Sequence, residues 1–134
     1  MKQIIIPQDI ERMATLAVDA AFAVHKELGP GLLESAYEGC FAYELELREV
    51  RFQRQLPVPL NYKGKLIEVS FRADVVLEQR LLIELKAVEA LLPVHRAQVI
   101  TYLKVLQLPL GLLINFNTAL IKDGLHRILN LHLP

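Results

Sequence analysis

Neither sign of charge predominates in this chain, because 15 Lys and Arg balance 15 Asp and Glu. It therefore lacks the global basic field that draws a protein to nucleic acid irrespective of sequence. That excludes a strongly basic, non-specific DNA binder but leaves room for an enzyme whose cations are local. Cysteine is almost missing as well: Cys40 stands alone, so no intramolecular disulfide can form, and its place within a helical pattern predicts a small buried hydrophobe. Long apolar runs are also lacking. The longest, residues 108–114, contains Pro109 and Gly111 and is far too short to cross a bilayer. No signal-peptide pattern, internal repeat, low-complexity segment or linker is visible, which predicts a single domain over residues 1–134 and a cytoplasmic location.

What the chain has in quantity is apolar residue types, 53% of 134 residues. This exceeds what a small soluble monomer needs, so part of that surface is expected in a subunit interface, making a homo-oligomer.

Helical spacing of Ile10, Met13, Ala17, Ala20, Val24 and Leu28 predicts an amphipathic helix over residues 8–28, after a strand-like or frayed start at residues 2–6. The triplet Gly29-Pro30-Gly31 ends it. His25, near that end, suits the helix dipole and reads as structural. A second helix is expected from just after Gly31 to about Val50, with Leu33, Tyr37, Phe41 and Leu45 packing inward. Its first turn holds Glu34, where a carboxylate is electrostatically favoured. Residues 51–62 alternate but carry Pro57 and Pro59, which predicts an edge or bent strand, and Lys63-Gly64-Lys65 reads as a turn. Arg48, Arg51, Arg54, Lys63 and Lys65 could form a local basic edge for a phosphate backbone, although solvated surface is the expected fate of most of them. Pro93 suits the start of a third helix, with Val99, Ile100, Leu103 and Leu106 inward and His95, Gln98 and Tyr102 as a polar stripe. Residues 110–117 read as a buried strand and 125–131 as a strand or short helix. The class is α/β or α+β, a mixed central sheet flanked by helices.

The chemistry concentrates in residues 71–87, FRADVVLEQRLLIELKA. Phe71, Ala73, Val75 and Leu77 alternate with polar or other-face residues, as do Leu81, Ile83, Leu85 and Ala87, so two strands flank a Glu78-Gln79-Arg80 loop. A three-residue loop pairs Leu77 with Leu81 and Val76 with Leu82, and sets Asp74 against Glu84, roughly 5 Å apart at Cβ. Lys86 points to the same face. Like charges across a ladder are destabilising, so the pair calls for a cation: Lys86 in part, and a divalent metal for the rest. Hard oxygen donors suit Mg²⁺ or Mn²⁺ rather than zinc. A solvated polar sheet face would carry the same residues.

Several blocks together resemble a known family. Gly31-Leu32-Leu33-Glu34-Ser35-Ala36-Tyr37 is similar to the motif of the GxxExxY family of small prokaryotic proteins, and FRADVVLE, LLIELKAVE, PVHRAQVITYLK and LGLLINFN resemble its later blocks in the same order. That family lies in the PD-(D/E)XK nuclease-like superfamily. The resemblance implies that Asp74 and Glu84, with the backbone carbonyl of Leu85, hold Mg²⁺ or Mn²⁺, and that Glu34 supplies the acidic residue of the first core helix. It further implies that Lys86 is the catalytic lysine and that Gln98 and Tyr102 form a QxxxY element. Ala73 stands where a proline is usual. The implied activity is metal-assisted hydrolysis of phosphodiester bonds in DNA or RNA. Two other readings stand beside it: a non-catalytic nuclease-fold adaptor or oligomerising module, and a hydrolase of small phosphorylated molecules.

Overall fold

A computed structural model describes residues 4–69 and 71–133. Helix α1, Gln8–Leu28, spans the stretch its apolar spacing predicts; Asp9 and Glu11 lie in its first turn and His25 and Lys26 in its last, matching the dipole at both ends. Residues 4–7 are without regular structure, and the rest of the expected strand-like start lies outside the described residues. Helix α2, Glu34–Leu47, buries Tyr37, Glu38, Phe41, Ala42 and Leu45. Two inward assignments fail on this element. Leu33 is the N-cap rather than a helical position and is 76% exposed, and Cys40 falls outside the buried face and is exposed.

Seven strands follow the helical pair, interrupted by α3: β1 Phe52–Pro57, β2 Leu60–Tyr62, β3 Lys65–Ile67, β4 Arg72–Leu77, β5 Leu81–Lys86, α3 Pro93–Leu106, β6 Leu110–Asn115 and, after a 3₁₀ turn at Ile121–Gly124, β7 Leu125–Leu129. Five form a mixed sheet in the order β1-β4-β5-β6-β7. Among the described residues only β5 and β6 run parallel, the arrangement that a crossover such as α3 makes possible. The stretch expected as a single strand, 51–62, divides into β1 and β2, and a further short strand, β3, precedes β4. Prolines 57 and 59 cannot continue a ladder, so the chain turns out of the main sheet there, and β2 and β3 pair with each other as a separate hairpin. Where they leave, the Val58 N–H donates to the Phe71 carbonyl at 2.8 Å.

Both sheet faces are covered, which is why β5 and β6 are apolar almost throughout. On one side α1 and α2 pack against Val75, Leu77, Leu81, Ile83, Leu85, Leu112 and Ile114, with Tyr37 stacked on Phe116 at 4.6 Å between ring centroids. On the other, Val99, Tyr102 and Leu103 of α3 meet Ala73, Val76, Leu82, Leu113 and Ile128. Each fully buried aliphatic side chain stabilises the fold by about 1.5–3 kcal/mol. Gly111 lets α3 approach closely, since a Cβ there would lie 3.0 Å from Val99 Cγ1. Among the described residues no helix is long and apolar enough to cross a membrane.

Candidate active site

The β4–β5 hairpin has the expected register, Leu77 opposite Leu81, Val76 opposite Leu82 and Val75 opposite Ile83. Its loop uses left-handed backbone at Glu78 (φ 49°) and Gln79 (φ 59°), the pair of conformations of a type I′ turn, here without glycine or asparagine. Glu78 is tied down from β1's side: its N–H donates to the Arg51 carbonyl at 3.0 Å, and its Oε1 accepts the Arg51 N–H at 3.3 Å.

One rung further, Asp74 faces Glu84, and there the regular ladder lapses on both sides. Pairing of β4 with β5 stops at Val75, and pairing with β1 skips Gln55, the residue opposite Asp74, before resuming at Leu56 and Ala73. Gln55 takes φ 52°, a left-handed conformation that costs a non-glycine residue about 1–2 kcal/mol. In place of a ladder bond, the Leu85 N–H donates to Asp74 Oδ2 at 2.8 Å. The carbonyl of a strand residue points to the same side as its N–H, so the Leu85 carbonyl is also directed towards β4.

Glu84 is only 2% exposed, and its Oε1 is buried with no hydrogen-bond partner. Burial first, then the adjoining Asp74 carboxyl, push the Glu84 pKa up to about 10, against a smaller opposing effect of Lys86. Glu84 thus holds a proton at neutral pH. From α3, Gln98 Nε2 donates to the Tyr102 hydroxyl at 3.2 Å, and Lys86 Nζ donates to Gln98 Oε1 at 3.4 Å. Burial and the Glu84 carboxyl raise the Tyr102 pKa. Of the polar stripe expected on α3, Gln98 and Tyr102 reach the site and His95 does not. Its Nδ1 accepts the Leu92 N–H at 2.9 Å, so it closes the helix start instead.

Glu34 opens α2 and is placed by the loop before it. The Tyr37 hydroxyl reaches back across that loop to the Gly29 carbonyl and the Leu32 N–H, while Gly31 supplies a φ of 103° that side chains disfavour. Loss of hydration first, then Asp74, raise the Glu34 pKa, with Lys86 opposing and Glu38 adding to the rise. Glu34 therefore lies within electrostatic reach of both Asp74 and Lys86. His25 is structural as expected, its Nε2 bonded to the Thr118 carbonyl at 2.8 Å.

Two side chains around the site, Glu38 and Asn115, are not among the candidates that the sequence pattern offers. Glu38, one turn beyond Glu34 and 8% exposed, accepts Arg54 at 3.0 Å and Gln55 Nε2 at 2.7 Å, bracing the kinked residue opposite Asp74. Asn115, beside Lys86 in the parallel ladder, accepts the Val88 N–H at 3.1 Å and donates to its carbonyl at 2.9 Å. It fixes the exit of β5, and its polarity at the end of an apolar strand was the available signal. The expected basic edge is partly neutralised, because Arg48 pairs with Glu44 and Arg54 with Glu38.

Among the described residues no three His, Cys, Asp or Glu side chains converge tightly enough to hold a metal by themselves. The donors nevertheless fit a magnesium-like ion, which is commonly held by one or two carboxylates with water and substrate oxygens completing its shell. The unpartnered Glu84 oxygen beside Asp74 is the atom such an ion would satisfy.

A family model of the PD-(D/E)XK nuclease superfamily matches residues 11–128. The chain belongs to that superfamily. The match runs from the first turn of α1 into β7, so it takes in the whole Asp74–Glu84–Lys86 cluster and both flanking helices. PD-(D/E)XK nucleases are generally dependent on divalent metals. No curated protein and no solved structure matches the chain.

Proposed function

We propose that this protein is a Mg²⁺- or Mn²⁺-dependent nuclease hydrolysing phosphodiester bonds in nucleic acid. The observation that carries the reading is the buried, unpartnered Oε1 of Glu84 set against Asp74, an arrangement that is costly unless a cation or proton relieves it. Asp74, Glu84 and the Leu85 carbonyl would hold the ion, with Glu34 joining directly, through water or at a second ion. A bound divalent cation supplies Lewis acidity and a water of lowered pKa. Lys86, steadied by Gln98, stabilises negative charge developing on the phosphoryl oxygens, and the Gln98–Tyr102 pair orients water or phosphate beside it. A non-catalytic adaptor has no use for two carboxyl groups set side by side in this way.

The test is calorimetric titration of Mn²⁺ into the wild type and Glu84→Gln. Saturable binding that the variant loses supports the site; absence of binding to the wild type, with nucleic acid present as well, rejects it in favour of an adaptor. Within the same proposal the protein is cytoplasmic and self-associates. Phe22, Leu28, Tyr43 and Leu47, all exposed on α1 and α2, are the surface offered to a second copy, and sedimentation gives the mass.

A further inference from the structure

We infer that the β2–β3 hairpin, together with Phe71, is a grip for single-stranded nucleic acid leading towards the Asp74–Glu84 pair. This deepens the proposed nuclease reading and rests on it for the chemistry, not for the binding.

The hairpin stands apart from the main sheet, since β2 and β3 pair only with each other, and residues 61–66 are all exposed. An isolated two-stranded hairpin is marginal in water, so its side chains do little to build the core. Two of the exposed groups are aromatic: Tyr62 at 52% and Phe71 at 42%. Cations accompany them. Lys63 Nζ lies 5.5 Å from the Tyr62 ring centroid, Lys65 follows two residues on, and Arg72 is exposed next to Phe71. Residues 60–72 contain these three cations against the single acid Glu68. An open, mainly apolar groove lies beneath, lined by Pro57, Val58, Leu66, Val69 and Phe71 among others.

Phe71 is fixed rather than loose. Its carbonyl accepts the Val58 N–H at 2.8 Å, and its ring sits 6.4 Å from that of Tyr102, tilted by 51°. From Tyr102 the hydrogen bonds run on through Gln98 to Lys86. Aromatic faces flanked by cations, and linked through Tyr102 and Gln98 to Lys86 of the proposed site, match unstacked bases on a charged backbone. A duplex keeps its base faces stacked and offers Phe71 nothing to cover.

The experiment is fluorescence anisotropy of a short labelled single-stranded oligonucleotide and of its duplex, in EDTA, across a salt series. The single strand is expected to bind more tightly. Phe71→Ala should weaken it by roughly 5- to 150-fold, and Lys63→Ala with Lys65→Ala should flatten the salt dependence by about 1.4 in log–log slope. Circular dichroism checks that the variants, all at exposed positions, stay folded. Equal binding of duplex, wild-type affinity in the variants, or no binding of the single strand overturns the grip. So does a change of sedimentation mass in Phe71→Ala without loss of oligonucleotide, which would make the hairpin a subunit contact. The wild type separates the two proposals. Oligonucleotide bound through Phe71 by a wild type that takes up no Mn²⁺, with or without nucleic acid, keeps the grip and rejects the nuclease; Mn²⁺ binding lost in Glu84→Gln, without oligonucleotide bound by the wild type, does the reverse.

Discussion

The hydroxyl of Tyr37 donates to the carbonyl of Gly29 at 2.6 Å and accepts the Leu32 N–H at 3.2 Å. A tyrosine inside α2 thereby clamps the loop that delivers Glu34, while its ring is stacked on Phe116. Tyr37→Phe keeps the stacking and removes both bonds. The expected loss is about 1–3 kcal/mol in urea denaturation. Mn²⁺ affinity should fall as far as in Glu34→Gln, with no additional fall in the double variant, measured by calorimetry. A full additive loss would show that the clamp does not act through Glu34.

Glu84 makes stability depend on pH. Its folded pKa, about 10, lies above the unfolded carboxylate value, so the folded state binds the proton more tightly. The stabilisation is complete below the unfolded pKa of about 4.3 and is lost as pH rises towards 10, with a limiting slope of about 1.4 kcal/mol per pH unit. Thermal melts of the metal-free protein between pH 6 and 9 should show a declining Tm that flattens in Glu84→Gln. Because metal ligands must be deprotonated, Mn²⁺ should bind more tightly and with less proton release as pH rises, which calorimetry in buffers of different ionisation enthalpy reads directly.

Asp74 separates charge from hydrogen bonding. In Asp74→Asn the amide oxygen can still accept the Leu85 N–H, and one of two facing carboxyls is gone, so apo stability should hold or rise. Asp74→Ala strands that N–H and should cost about 1–3 kcal/mol. Both should lose Mn²⁺ binding. Denaturation and calorimetry on the two variants check the pattern, which breaks if both lose the fold alike.

Two glycines give opposite expectations. A Cβ at Gly124 would overlap the backbone carbonyl of Asn115, so Gly124→Ala should destabilise by about 1–3 kcal/mol and disturb the Asn115 hold on Val88. A Cβ at Gly39, inside α2, meets nothing within 4 Å, and Gly39→Ala should stabilise by about 0.8–1 kcal/mol. Melting curves of the two variants decide.

The register that sets Asp74 against Glu84 was readable in the chain because loop length and two-residue alternation leave little freedom. Helix α1 was readable for the same kind of reason, a long periodic pattern closed by glycine. The misses share a different cause. Leu33 and Cys40 have the composition of core residues, but which arc of α2 is buried depends on α1 and the sheet. Pro57 and Pro59 signalled a bend without revealing that the chain would leave the sheet and return at Arg72. The kink at Gln55 and the burial of Glu38 depend on each other through a 2.7 Å bond between residues 17 apart, which no local pattern records. His95 lay at the right spacing for the site, and a nearer backbone N–H took it.

Helix α1 meets its polar partners late in the chain. Asp9 pairs with Arg80, His25 with the Thr118 carbonyl and Glu11 with Arg127, separations of 71, 93 and 116 residues. At a synthesis rate of about 5–20 residues per second, the helix waits on the order of 10 s for the last of these. Its buried stripe is largely alanine, at positions 14, 17, 20 and 21. Alanine is the strongest helix former and carries little apolar surface. The composition that lets α1 lie close against the finished sheet thus also lets the nascent segment hold its shape, with little apolar surface bared along the stripe that awaits the sheet, until β7 emerges.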